Sequence, residues 1–120
     1  MTKHGEHPPV VEEAVRWVMK LLVRGSYLDL VRSSSGSRMT DGEIRGAVVD
    51  YGKQLVDPPD DLQAYVDVVR VQGACPSRWS VNIPVWTAEE GRSDLTLSVT
   101  IIETDQAPGF TVEIDDLHVL

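Results

Sequence analysis

Leu95-Thr-Leu-Ser-Val-Thr-Ile101 alternates apolar and hydroxyl side chains without a break, and this run decides the fold. Successive side chains of a strand point to opposite faces, so Leu95, Leu97, Val99 and Ile101 share a buried face and Thr96, Ser98 and Thr100 a wet one. The same period holds on either side of it. Trp79, Val81, Ile83 and Val85 alternate with Ser80, Asn82 and Pro84, and Phe110, Val112 and Ile114 alternate with Thr111, Glu113 and Asp115. Pro84 donates no ladder hydrogen bond and so requires an edge or bulged position. Leu117 and Val119 have the opposite parity from Ile114, which reads Asp115-Asp116 as a bulge or bend. A fourth run, Tyr65–Gln72, is Val-rich but poorly phased. Gly91 and Pro108-Gly109 supply the turns between the last three strands.

The chain upstream keeps a helical period. Val11, Ala14, Val15, Val18, Leu21 and Leu22 make one apolar stripe, entered at Pro8-Pro9 and stopped at Gly25. A short second helix is expected over Tyr27–Arg32 with Ser26 as its cap, then a flexible loop over Ser33–Ser37. Thr40-Asp-Gly-Glu43 is a capping box, with Met39 and Ile44 at the spacing of a hydrophobic staple. It starts a third helix at about Asp41, carrying Ile44, Ala47, Val48 and Tyr51 inward and ending by Leu55. Asp57-Pro-Pro-Asp-Asp61 then forbids regular structure and marks the change from helices to sheet.

These readings give an α+β domain: three N-terminal helices packed on a curved antiparallel sheet of about four strands. The expected division is a flexible tail over 1–8 and a single domain over 9–120. At 120 residues there is room for one core, and 42% hydrophobic with 25% charged residues is an ordinary globular balance. A pI near 4.7 opposes a nucleic-acid or anionic-membrane binder, since both need basic surface. No run approaches the apolar length of a membrane span, and the N-terminus reads as no secretion leader, so the expected location is the cytoplasm. The single cysteine, Cys75, excludes an internal disulfide or a Cys-rich zinc site, and its Gly-Ala-Cys-Pro setting offers no base to activate it.

Helix order and strand number over about residues 9–120 resemble the nuclear-transport-factor-2-like, or cystatin-like, cone. More locally, Trp86-Thr-Ala-Glu-Glu-Gly-Arg-Ser-Asp-Leu95 with the ending Ile114-Asp-Asp-Leu-His-Val-Leu120 resembles a family of small uncharacterised bacterial domains. That resemblance implies a bacterial origin and a domain of unknown function, with no activity to carry across.

Charge supplies the functional expectation. Residues 86–120 hold eight carboxylates (Glu89, Glu90, Asp94, Glu103, Asp105, Glu113, Asp115, Asp116) against one base, Arg92, which is −7 of the chain's −8. Such a hairpin attracts a cationic protein. The leading reading is therefore a small acidic protein-binding module, of immunity or antitoxin type, that meets a basic partner. Its candidate partner-binding residues are Trp86, Glu89, Glu90, Arg92 and Asp94. Against this, Arg92 and its acidic neighbours also read as a local salt-bridge network, and Trp86 as a lid on the cone. The alternative is a small-molecule-binding or enzymatic cone in which Asp116 orients His118, two residues on and on the same face, with Tyr27, Tyr51 or Tyr65 positioning a ligand. The bland reading of that pair is a chain-end hydrogen bond, and no serine or cysteine stands in a nucleophile motif. No cofactor or metal site is expected: the acidic turn lacks an EF-hand pattern, and His4 and His7 alone fall short of a zinc centre. A homodimer through the sheet is the third possibility.

Overall fold

The computed structural model describes residues 8–120. The expected tail over 1–8, with His4 and His7, lies outside those residues except for Pro8, which is the N-cap of helix α1 (Pro9–Val23). Helix α2 (Tyr27–Ser33) follows, then strand β1 (Gly36–Ser37), helix α3 (Asp41–Tyr51) and strand β2 (Leu55–Val56). After a 3₁₀ turn over Leu62–Tyr65 come β3 (Asp67–Arg70), β4 (Arg78–Thr87), β5 (Gly91–Glu103) and β6 (Phe110–Val119).

The sheet has six strands in the order β1-β6-β5-β4-β2, with β3 also paired to β4. It is mixed, because β1 runs parallel to β6 while the other pairs are antiparallel. This corrects the expectation of about four antiparallel strands. The four expected are β3 to β6; β1 and β2 span two residues each, too few to display a period. β1 also corrects the expected flexible loop at Ser33–Ser37. It docks on β6 chiefly through backbone, Ser35 N–H donating to Val112 O at 2.7 Å and Arg38 N–H to Ile114 O at 2.9 Å, and the Ser35 hydroxyl adds a bond to Val112 O at 3.2 Å. β3 is shorter than expected, because Tyr65 belongs to the 3₁₀ turn before it.

One face of the sheet is apolar and covered. Trp79, Val81, Ile83 and Val85 of β4, Leu95, Leu97, Val99 and Ile101 of β5, and Phe110, Val112, Ile114 and Leu117 of β6 are all buried. Helix α1 lies against β4, β5 and β6 and buries Val11, Ala14, Val15, Val18, Met19 and Leu22. Each of the larger side chains there contributes about 1.5–3 kcal/mol by leaving water. The helix stops where Gly25 takes φ 76° and Ser26 N–H returns to Leu21 O at 3.0 Å. α3 starts on its capping box: Glu43 N–H donates to Thr40 Oγ1 at 3.1 Å and Thr40 N–H to Glu43 Oε1 at 2.9 Å. Ile44 alone is fully buried on α3, with Ala47, Val48 and Tyr51 half-buried against the core. Ser26 makes no side-chain cap bond, contrary to expectation.

Two irregularities shape the opposite face. β5 and β6 shift register where Ser98 faces Asp116 and Val99 faces Ile114, leaving Asp115 as the extra residue. This is the bulge read from the change of parity, and it returns Leu117 to the core. Pro84 lies where β3 has ended, at Asn82, and β2 begins, at Trp86, so no neighbour on that edge needs its missing N–H.

Candidate functional site

Among the described residues no helix covers the polar face of the sheet. Arg78, Ser80, Asn82 and Pro84 of β4, Thr96, Ser98 and Thr100 of β5, and Thr111, Glu113 and Asp115 of β6 have the parity opposite to the core residues. Asp67 and Val69 of β3 extend it. Hydrogen bonds across the strands fix its hydroxyls and carboxylates: Ser98 Oγ donates to Asn82 Oδ1 at 2.6 Å, and Thr100 Oγ1 to Asp115 Oδ2 at 2.8 Å. Arg78 lies 3.9 Å from Glu113, a long and half-exposed pair that neutralises little.

At the end of this face near the β4–β5 turn stands an aromatic group. Trp86 meets Tyr65 edge to face with centroids 5.5 Å apart, and the Arg92 guanidinium sits 5.1 Å from the Tyr65 ring centre. Arg92 thus pairs with a ring rather than with the expected turn carboxylates. Beside the three is a hollow of about 250 Å³ lined by Tyr65, Asp67, Asn82, Arg92, Asp94 and Leu120 among others. Tyr65 is 41% exposed and Leu120 81%, so apolar surface lies open next to acids. Leu120 N–H donates to Asp94 O at 3.0 Å, which holds the chain end against β5. Of the sequence candidates, Trp86, Arg92 and Asp94 come together here. Tyr65 joins them, a residue read from sequence as strand; its aromatic type and the proline-rich approach to it were the available signals.

Glu89 and Glu90 are placed differently. The three-residue turn Ala88–Glu90 closes with Gly91 at φ 73°, a conformation a side chain disfavours. Thr87, on the buried face, accepts from Glu90 N–H at 3.0 Å and donates to Glu90 Oε1 at 3.1 Å. Tyr51 at the end of α3 donates its hydroxyl to the same carboxylate, 2.8 Å from Oε1. Burial, followed by the acceptor Glu90 beside it, raises the Tyr51 phenol above its ordinary value of 10.0. Glu89 Oε1 accepts Gln54 N–H at 3.0 Å, and Ala88 N–H donates to Gln54 O at 2.9 Å. Both carboxylates therefore fasten the turn to the helical layer. Glu103 and Asp105 fall at the other end of the 13-residue β5. The acidic residues of 86–120 thus divide among a turn, a sheet face and a distant hairpin end.

Asp116 and His118 do share the polar face. His118 Nδ1 lies 3.2 Å from Asp116 Oδ2 without hydrogen-bond alignment, and Asp116 Oδ1 accepts Leu117 N–H at 2.9 Å. Their cross-strand neighbours are Thr96 and Ser98. Both hydroxyls are directed elsewhere, Thr96 to Asp94 O at 3.3 Å and Ser98 to Asn82, so no hydroxyl nucleophile is presented to the imidazole. Neither residue lines the hollow beside Tyr65, nor the cavity of about 590 Å³ beside Trp17. The three tyrosines do not converge: Tyr27 is buried under Arg45, Tyr51 binds Glu90, and Tyr65 is on the outer face. Cys75 is an exposed free thiol. Among the described residues no three His, Cys, Asp or Glu side chains form a metal-sized group, and no helix is long and apolar enough to cross a membrane.

Neither a curated protein nor a solved structure matches this chain. Residues 19–120, from the last turns of α1 to the end of β6, match the family model described as Domain of unknown function (DUF7668), and the chain belongs to that family.

Proposed function

We propose that this protein is a small acidic bacterial protein-binding module, of immunity or antitoxin type, that engages a basic partner through the uncovered face of its sheet. One observation carries the reading: an aromatic pair, Tyr65 and Trp86, stands on that face beside Asp67 and Asp94, and Glu113, Asp115 and Asp116 lie on the same face on β6. Aromatic anchors ringed by charge are the usual energetic centre of an interface. The described residues extend 38 by 33 Å along their two long axes, room for the roughly 800 Å² per partner that a stable complex buries. Trp86, Arg92 and Asp94 remain the partner-binding candidates. Glu89 and Glu90 act one step back, holding the turn that carries them.

A basic partner would be steered by the acids and held by the rings, so its association should slow as salt rises. The test is affinity capture from source cells at low and high salt, with Asp94→Lys/Glu113→Lys/Asp116→Lys and Trp86→Ala as controls. Basic proteins retained by the wild type and lost from both variants support the reading. Identical captured sets from all three would end it. Sedimentation of the wild type separates this from a homodimer through the same face, and a cytoplasmic location follows from the proposed kind of partner.

The alternative, a nuclear-transport-factor-2-like cone that binds or transforms a small molecule, draws on helix α1 seated against β4, β5 and β6 and on the 3.2 Å approach of Asp116 to His118. It predicts that His118→Ala abolishes ligand binding and spares partner capture.

A further inference from the structure

A second hollow lies at the other end of β5 from the aromatic pair. It is a cavity of about 590 Å³ between the first turns of α1 and the β5–β6 turn. That volume is within the range of small-molecule sites, roughly 300–1,000 Å³. Its walls are mainly apolar: Trp17, Phe110, Val112, Ala107 and Pro108 line it. Trp17 and Phe110 meet edge to face with centroids 6.1 Å apart, so two rings border one space. The far wall is preformed. Thr104 N–H donates to Gly109 O at 3.0 Å, Thr104 Oγ1 to Gln106 O at 3.0 Å and Gly109 N–H to Gln106 O at 2.7 Å, which closes the turn on itself.

The charge that the described residues place at the mouth has one sign. Glu13 is the sole ionisable side chain among the lining residues and sits four residues before Trp17, which places carboxylate and indole side by side on one helix face. Asp105 and Glu103 flank the lining turn. Among the described residues no lysine, arginine or histidine lines the cavity. Aromatic rings and a carboxylate around an apolar hollow suit an organic cation, whose charge faces Glu13 and Trp17 while its body displaces water from Ala107 and Pro108. Among the described residues an anion would meet Glu13 and no counter-charge.

We infer that the cavity between α1 and the β5–β6 turn is a binding site for a small organic cation, an amine or quaternary ammonium ion with an apolar or aromatic body. This site is separate from the proposed protein-binding face, so either assignment survives failure of the other. Isothermal titration calorimetry with benzyltrimethylammonium, benzyl alcohol and phenylacetate tests it on the full chain, with amide shifts mapped by NMR. The cation should bind at least about tenfold more tightly than the alcohol or the acid, and should move the amides of residues 104–112. Glu13→Gln, on an exposed helix position, should weaken the cation about tenfold and leave the alcohol unchanged. Ala107→Trp, on the exposed turn, should fill the cavity and abolish binding. The inference is overturned by no saturable binding of the cation, by equal affinity for cation and alcohol, or by cation affinity that Glu13→Gln leaves untouched.

Discussion

Replacing Glu90 separates its structural role from a role in binding. Its carboxylate accepts the Tyr51 hydroxyl at 2.8 and 3.1 Å and the Thr87 hydroxyl at 3.1 Å. A hydrogen bond to a charged acceptor is worth about 1.5–3 kcal/mol when shielded, and nearer 1 where water competes, as at this exposed turn. Thr87 keeps its bond from residue 90 N–H, so most of the loss falls on Tyr51. Glu90→Ala should therefore cost about 1–2 kcal/mol. For 120 residues the unfolding entropy is about 0.25 kcal/mol/K, so 1 kcal/mol lowers Tm by about 4 °C. The expected fall is about 4–8 °C by calorimetry. A double-mutant cycle with Tyr51→Phe, run in urea, should return a coupling near 1 kcal/mol, since both changes remove the same contact. A Glu90→Ala Tm within about 1 °C of wild type, with additive single changes, would refute the lock and return Glu90 to the pool of free surface acids.

Three other outcomes follow from the same geometry. The Tyr51 phenol, raised above 10.0 by burial and by Glu90, holds its proton in the folded chain where the unfolded chain releases it. That contribution is intact below the unfolded value and is lost as pH rises through the folded one, so urea midpoints should fall as pH rises past about 10, less so in Tyr51→Phe. Thr40→Ala removes the acceptor for Glu43 N–H and should cost about 1 kcal/mol in urea unfolding, with a smaller loss for Thr40→Asn. Leu97→Ala, at a fully buried centre of β5, should cost about 2–5 kcal/mol, whereas Ser98→Ala on the other face should stay within about 1 kcal/mol of wild type.

Much of this architecture was legible wherever a period ran long enough to be counted. The alternation through Leu95–Ile101 sorted both faces of β5, and the parity change after Ile114 pointed to a bulge or bend at Asp115-Asp116, of which Asp115 is the extra residue. The Thr40–Glu43 box fixed the start of α3 because its two bonds are local. β1 and β2 escaped notice because two residues have no period, and β1 binds through a backbone whose Ser-Gly composition mimics a loop. The site was less readable. Sequence grouped Glu89, Glu90, Arg92 and Asp94 by proximity along the chain, but Glu89 and Glu90 turn to Gln54 and Tyr51, 35 and 39 residues away. Arg92 turns to Tyr65 instead. Those partners come from the helical layer and the 3₁₀ turn, and only tertiary packing brings them near. The cavity beside Trp17 likewise joins residues from α1 and the last hairpin, a pairing no local pattern encodes.

The most direct test of the central claim compares two charge variants in one capture experiment. Asp94→Lys/Glu113→Lys/Asp116→Lys alters the open sheet face, and Glu89→Gln/Glu90→Gln alters the turn bonded to α3. The account predicts that a basic partner retained by the wild type at low salt is lost from the first variant and kept by the second. A partner lost from the turn variant and retained by the sheet-face variant, with both proteins folded by circular dichroism, would contradict it.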